Sequence, residues 1–354
     1  MDNNIQQESI ISEAPVIMDN KNEMKKCYSK IALWLGLSYI ITIVVSIILS
    51  VVFKSLTDSS DPVIDENIAN MIVSFAPMYV ICFPLIILIL SRMKKTALEK
   101  TKLGAGRIFS LTSMVFPIIL AGNIIGTFLS GVLSSGKAEN SIVEMVTAFN
   151  PLAILIGSFI GPIFEEIVFR KMIIDRTVRY GEKAAILFSA LCFGMYHMNL
   201  FQFFYTFGFG LILGYIYVRS GDVKLPIILH IAINSLNTII VPFLIRQSAY
   251  YEFIDMLTEN TITEQFIIEN TAFFEEHLIW ILLFLLYVFL YYAMIIVGVI
   301  MLITKRKKLE IHEREEQIPD KTGIRTAFVN IGMIIFAVIT IGMITLSLLS
   351  AANT

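Results

Sequence analysis

The sequence predicts an all-α fold: a polytopic transmembrane helical bundle of about nine spans, with its core in spans four to seven. Three observations carry this. The 354 residues are 56% hydrophobic and 16% charged, where a soluble domain carries about 25% charged residues. The apolar runs are long and continuous rather than alternating, which selects helices over a membrane barrel. The loops between the runs alternate in charge as the loops of a multi-pass protein do.

Nine apolar segments are long or nearly long enough to span: 31–53, 69–91, 108–133, 148–169, 184–199, 201–218, 225–245, 278–303 and 326–350. About 20 residues cross the hydrocarbon core untilted. The fifth and sixth are short, and read as two brief spans joined by a tight turn at Asn199-Leu200 or as a re-entrant pair. Arg92, Lys94, Lys95, Lys100, Lys102 and Arg107 follow the second segment; Lys171, Arg176, Arg179 and Lys183 follow the fourth. Arg219 and Lys224 follow the sixth, and Lys305, Arg306, Lys307 and Lys308 the eighth. The alternate loops are acidic or nearly uncharged, with Asp58, Asp61, Asp65 and Glu66 in the first and seven acids against Arg246 in 246–277. Positive loops mark the cytoplasm, so the expected orientation is N-terminus cytoplasmic and C-terminus extracytoplasmic, in the cell (plasma) membrane.

The expected organisation follows. Residues 1–30 form a cytoplasmic tail, and 31–135 form N-terminal membrane helices. A core occupies 148–246, and an extracytoplasmic acidic loop 247–277. Residues 278–354 supply further membrane helices and a charged cytoplasmic loop at 304–325, expected to be solvated. The aromatic-rich acidic loop reads equally as an amphipathic surface helix or an ordered loop. A net charge of −2 gives no sign of nucleic acid as a partner; the implied surroundings are the lipid bilayer. Cys27, Cys82 and Cys192 lie far apart with no C-x-x-C, and are read as small buried hydrophobes. His312-Glu313 lacks the second histidine of a zinc helix.

The core segment carries charge where a span should not. Gly161-Pro162-Ile163-Phe164-Glu165-Glu166-Ile167-Val168-Phe169-Arg170 lies inside an apolar run. A charge at mid-membrane costs about 2.5–3.5 kcal/mol on insertion scales. Glu166 and Arg170, four apart with the acid first, can pair on one helical face. Glu165 points about 100° away and is left to face something else. Two of the four histidines are also in apolar segments, His197 after Phe193 and His230 before Asn234, the latter two sharing a face. Singly, each has a structural explanation as an interhelical hydrogen bond or ion pair. Together they exceed what packing needs, and supply the residue types of a base, a proton shuttle and an oxyanion donor, or of a zinc site. No G-x-S-x-G and no paired aspartates in spans support serine or aspartyl chemistry. The expected depths of His197, about 20 Å from the cytoplasmic edge, and of His230, six residues past Lys224, match imperfectly.

Glu165-Glu166-x-x-x-Arg170, Phe193-x-x-x-His197 and His230-x-x-x-Asn234, in this order on successive spans, resemble the CPBP family of intramembrane proteases. That family includes type II CAAX prenyl endopeptidases and the bacterial Abi proteins linked to bacteriocin processing and self-immunity. The resemblance covers about 150–240. It implies that Glu165, with His197, activates a water for attack on a peptide carbonyl, and that His230 and Asn234 stabilise the oxyanion. Glu166, Arg170 and Phe193 would support them. An alternative version binds zinc through Glu165, His197 and His230; otherwise no cofactor is implied. The implied partner is a peptide or membrane-protein substrate. The Ile/Asn/Lys-rich composition fits a bacterial source, and hence a pheromone, bacteriocin or small membrane protein rather than a prenylated substrate. The rival readings are a non-catalytic membrane scaffold, regulator or self-immunity protein, and a transporter with a Glu/His proton relay.

Overall fold

The computed structural model describes residues 2–57, 64–138, 151–259, 263–314 and 316–353. Asp58, Asp61 and positions 148–150 of the expected fourth span lie outside them. The chain is 86% helical, and the described residues form no strand. We number the helices α1 (Asp2–Thr57), α2 (Ile68–Ser91), α3 (Ala105–Leu133), α4 (Pro151–Tyr180), α5 (Glu182–Tyr196), α6 (Leu200–Ser220) and α7 (Lys224–Gln247). They continue as α8 (Tyr250–Glu259), α9 (Glu264–Glu269), α10 (Thr271–Lys305), α11 (Asp320–Phe328) and α12 (Ile331–Asn353).

Eight of these, α1 to α4, α6, α7, α10 and α12, contain stretches long and apolar enough to cross a membrane. The protein is a multi-pass membrane protein. The ninth apolar segment is α5, only 15 residues long. It ends in a tight turn, as expected of a brief span: Met198 takes a left-handed conformation (φ 49°). Asn199 then caps α6, its side-chain oxygen accepting from Phe201 N at 2.9 Å. The expected last span at 326–350 is broken near Asn330, so α11 is separate from α12. Asn330 Oδ1 accepts from Met333 N at 2.9 Å and so starts α12.

Local π-helical turns occur in α2 (Pro77–Cys82), α4 (Ile156–Ile160 and Glu166–Ile174) and α7 (Leu236–Ile240). Three of the four are followed at once by an X-Pro pair: Phe83-Pro84, Gly161-Pro162 and Val241-Pro242. Proline lacks an N–H, and its ring collides with the carbonyl four residues back. A wider turn ahead of it relieves both problems without breaking the helix. Among the described residues the widening falls in α2, α4 and α7, which line the site described below.

The small residues of α3 and α6 hold the site from the side. Gly122 and Gly126 form a G-x-x-x-G pair on α3. A Cβ at Gly126 would lie 2.7 Å from the carbonyl oxygen of Phe201 and 2.8 Å from that of Leu200. The first turn of α6 therefore rests directly on the α3 backbone.

Cys27, Cys82 and Cys192 are free and buried, as the sequence suggests. Most described residues of the charged loop at 304–325 are exposed, but two of them are tied to the bundle. Glu182, fully buried at the start of α5, binds the guanidinium groups of Arg219 and Arg314 and accepts from His312 N at 2.9 Å. A buried carboxylate needs such partners, and they hold His312 and Arg314 against the start of α5 and the end of α6. In the acidic stretch 246–277, α8 and α9 are helical.

Candidate active site

Glu165 and Glu166 sit where α4 passes into its second π-helical stretch. The wider turn brings residues four apart closer to one line. Arg170 faces Glu166 through two contacts, Nε to Oε2 at 2.9 Å and Nη2 to Oε1 at 3.3 Å, and both side chains are wholly buried. Arg170 also donates from Nη1 to Ser189 Oγ at 3.2 Å, and Ser189 donates to Phe169 O at 2.6 Å. The guanidinium carbon lies 4.8 Å from the Phe193 ring centre. A planar guanidinium suits this paired and stacked position better than an ammonium would.

Glu166 has a second partner that the sequence did not reveal. His230 Nδ1 donates to Glu166 Oε1 at 2.9 Å, while its Nε2 lies 3.7 Å from Glu165 Oε2. His230 is thus held between the two carboxylates, buried against Phe193 and Phe209 at ring separations of 5.8 and 5.1 Å. Glu166 fixes the imidazole; Glu165 is the acid left facing open space.

His197 stands at the C-terminal end of α5. Its Nδ1 donates to the carbonyl of Phe193 at 2.8 Å, which leaves Nε2 with a free lone pair in the neutral ring. Phe193 touches the rings of both histidines, at 4.9 Å from His197 and 5.8 Å from His230. Asn234, one turn beyond His230, donates from Nδ2 to Gly157 O at 2.9 Å, on the first widened turn of α4.

Glu165, Phe193, His197, His230 and Asn234 all line one cavity of about 1000 Å³. Apolar and aromatic groups supply most of its wall. Asn237 and Thr238 add polar groups that sequence reading passed over. They lie seven and eight residues after His230, so the helical stripe His230, Asn234, Asn237, Thr238 was the available signal. Tyr79 of α2, Asn123 of α3, and Gln202 and Tyr205 of α6 also reach the cavity from other helices. No spacing in the sequence connects them to it.

Among the described residues no three His, Cys, Asp or Glu side chains are placed to hold one metal ion. His230 gives its Nδ1 to Glu166 and His197 its Nδ1 to the Phe193 carbonyl, and neither Nε2 makes a hydrogen bond. The expected set of Glu165, His197 and His230 shares a cavity but not a coordination sphere.

Acid and histidine side chains from three helices thus line one cavity. Residues 147–236 match the family model described as "Type II CAAX prenyl endopeptidase Rce1-like". A protein of Bacillus subtilis (strain 168), "Putative membrane peptidase YdiL", is 26% identical over 167 residues, covering 44% of this chain and 66% of that protein. The match thus spans a little less than two thirds of that relative. No solved structure gives a significant match. The central segment of the chain is thus similar to this family model and to this relative, over the stretch that carries the three motifs.

Proposed function

We propose that the protein is an intramembrane endopeptidase that hydrolyses a peptide bond of a membrane-associated or small peptide substrate. The observation that carries this reading is the convergence of Glu165, His197, His230 and Asn234 on one cavity. Glu165 is the carboxylate not matched by Arg170, and so serves as the base that takes a proton from the attacking water. His197, with Nε2 free, accepts or relays that proton. His230 has its Nδ1 committed to Glu166; with both ring nitrogens protonated, it donates from Nε2 to the developing oxyanion. Asn234 keeps one amide hydrogen beyond the one given to Gly157 and is the second donor. Oxyanion donors in a water-poor site contribute about 2.7–4 kcal/mol each to barrier lowering. The alternating loop charges support an N-terminus on the cytoplasmic side of the plasma membrane.

The test compares cells that lack the protein with cells expressing wild type or Glu165→Gln, His197→Ala or His230→Ala. New peptide termini in the membrane fraction are mapped by mass spectrometry. Termini that appear with wild type are expected to vanish with each variant, at rates lower by about 10²–10⁴-fold, while the variants accumulate as folded protein. Termini that persist in all three variants would overturn the catalytic reading and favour a binding or scaffolding role.

A further inference from the structure

Three tyrosines that line the cavity lie within electrostatic reach of Glu165: Tyr79 of α2, Tyr196 of α5 and Tyr205 of α6. Two of them have their hydroxyls engaged. Tyr196 shares a hydrogen bond with Ser38 Oγ at 3.1 Å, and Tyr205 donates to Gln202 Oε1 at 3.4 Å. Tyr79 makes no hydrogen bond among the described residues, and its oxygen is not sealed off from the cavity. A polar group left unpaired inside a protein asks for an explanation.

The direction of that hydroxyl is fixed by packing. Tyr79 stands on the π-helical turn Pro77–Cys82 of α2. Its ring meets Phe75 and Phe83 of the same helix at centroid distances of 6.4 and 5.5 Å. It also meets Phe164, the residue before Glu165, at 6.0 Å. Gly161 marks where the hydroxyl lies. A Cβ added there would meet Tyr79 Oη at 2.9 Å and Glu165 Oε1 at 3.7 Å. The phenol oxygen and one carboxylate oxygen thus converge on a single point. The other carboxylate oxygen, Oε2, is the one that His230 Nε2 approaches, at 3.7 Å. Glu165 therefore has a different neighbour at each oxygen.

We propose that Tyr79 is a positioning residue for Glu165. Its hydroxyl donates to Oε1 once substrate fills the cavity, and holds the carboxylate in the orientation from which it takes a proton from the attacking water. Catalytic hydrogen bonds are often long before substrate binds and tighten around it. A bond from a fixed phenol to a carboxylate is charge-assisted, and so stronger than one between neutral groups. The proposal rests on the peptidase reading above, and the glycine at position 161 is what lets the phenol come this close.

The experiment uses full-length protein in detergent. Its probe is a quenched fluorescent peptide spanning the cleavage site that wild type uses most in the mapping described above. Tyr79→Phe removes the hydroxyl and keeps the ring. It is expected to lower kcat about 10–100-fold, as loss of one hydrogen bond to a charged group does. KM should stay within about twofold, and the thermal midpoint should not move. Gly161→Ala, which drives a methyl group onto the hydroxyl, should also lower kcat. Its other close contact, Ile156 O at 3.1 Å, is the same with either residue at position 79. Added to Tyr79→Phe, it should therefore cost less than it costs wild type. The proposal is overturned if Tyr79→Phe turns over as wild type while Glu165→Gln does not, if its loss lies in KM, or if the two changes are additive. Cleavage that survives in Glu165→Gln would remove the peptidase reading and this one with it.

Discussion

Glu166 holds two partners at once, and its loss should be felt twice. Removing one member of a buried ion pair leaves the other uncompensated, at a cost of about 3–5 kcal/mol. Arg170→Met is therefore expected to lower stability by that amount, read as a fall in thermal midpoint in detergent. Glu166→Gln should both destabilise the protein and release His230, reducing cleavage beyond what the remaining folded fraction explains. Combining the two changes should recover part of the stability lost in Arg170→Met, because no buried charge then stands alone. Additive losses would show that Glu166 and Arg170 are not coupled. At this scale the sequence showed which residues matter through their polarity in apolar runs and their order along the spans. It could not show that His230 lies between Glu165 and Glu166, because that depends on how α7 rotates against α4, which no spacing within one helix specifies.

At the scale of elements, the close contact of α3 with α6 sets where His197 stands. Gly126→Ala would drive a methyl group into the carbonyls of Leu200 and Phe201, immediately after the turn that carries His197. Overpacking of this kind costs about 1–3 kcal/mol, and the displaced turn should lower turnover as well. Gly131→Ala is the control: nothing lies within 4 Å of its added carbon, and its effect should stay within about 0.5 kcal/mol. Thermal unfolding of the two variants, with cleavage rates on the same samples, checks both expectations. The helices themselves were legible as continuous apolar runs. The π-helical turns were not read, although the X-Pro pairs that accompany three of them stand in the sequence at Pro84, Pro162 and Pro242. The tie of His312 and Arg314 to the bundle was not legible, because the buried Glu182 that takes them belongs to a distant helix.

At the scale of the whole molecule, the order of charged and apolar loops predicts how the bundle sits in the membrane, and the packing of its thiols makes that testable. Cys27 contacts the carbonyl of Arg176, Cys82 contacts Thr42 and the carbonyl of Ser38, and Cys192 is fully enclosed. Lys137 and Lys305 are both exposed, at ends of spans expected to face opposite compartments. A membrane-impermeant maleimide should label Lys137→Cys in intact cells, and Lys305→Cys only after permeabilisation; the reverse pattern would invert the orientation. Wild type should take up almost no reagent. Three enclosed thiols make the natural chain chemically silent to sulfhydryl probes, so each engineered cysteine reports its own position against a dark background.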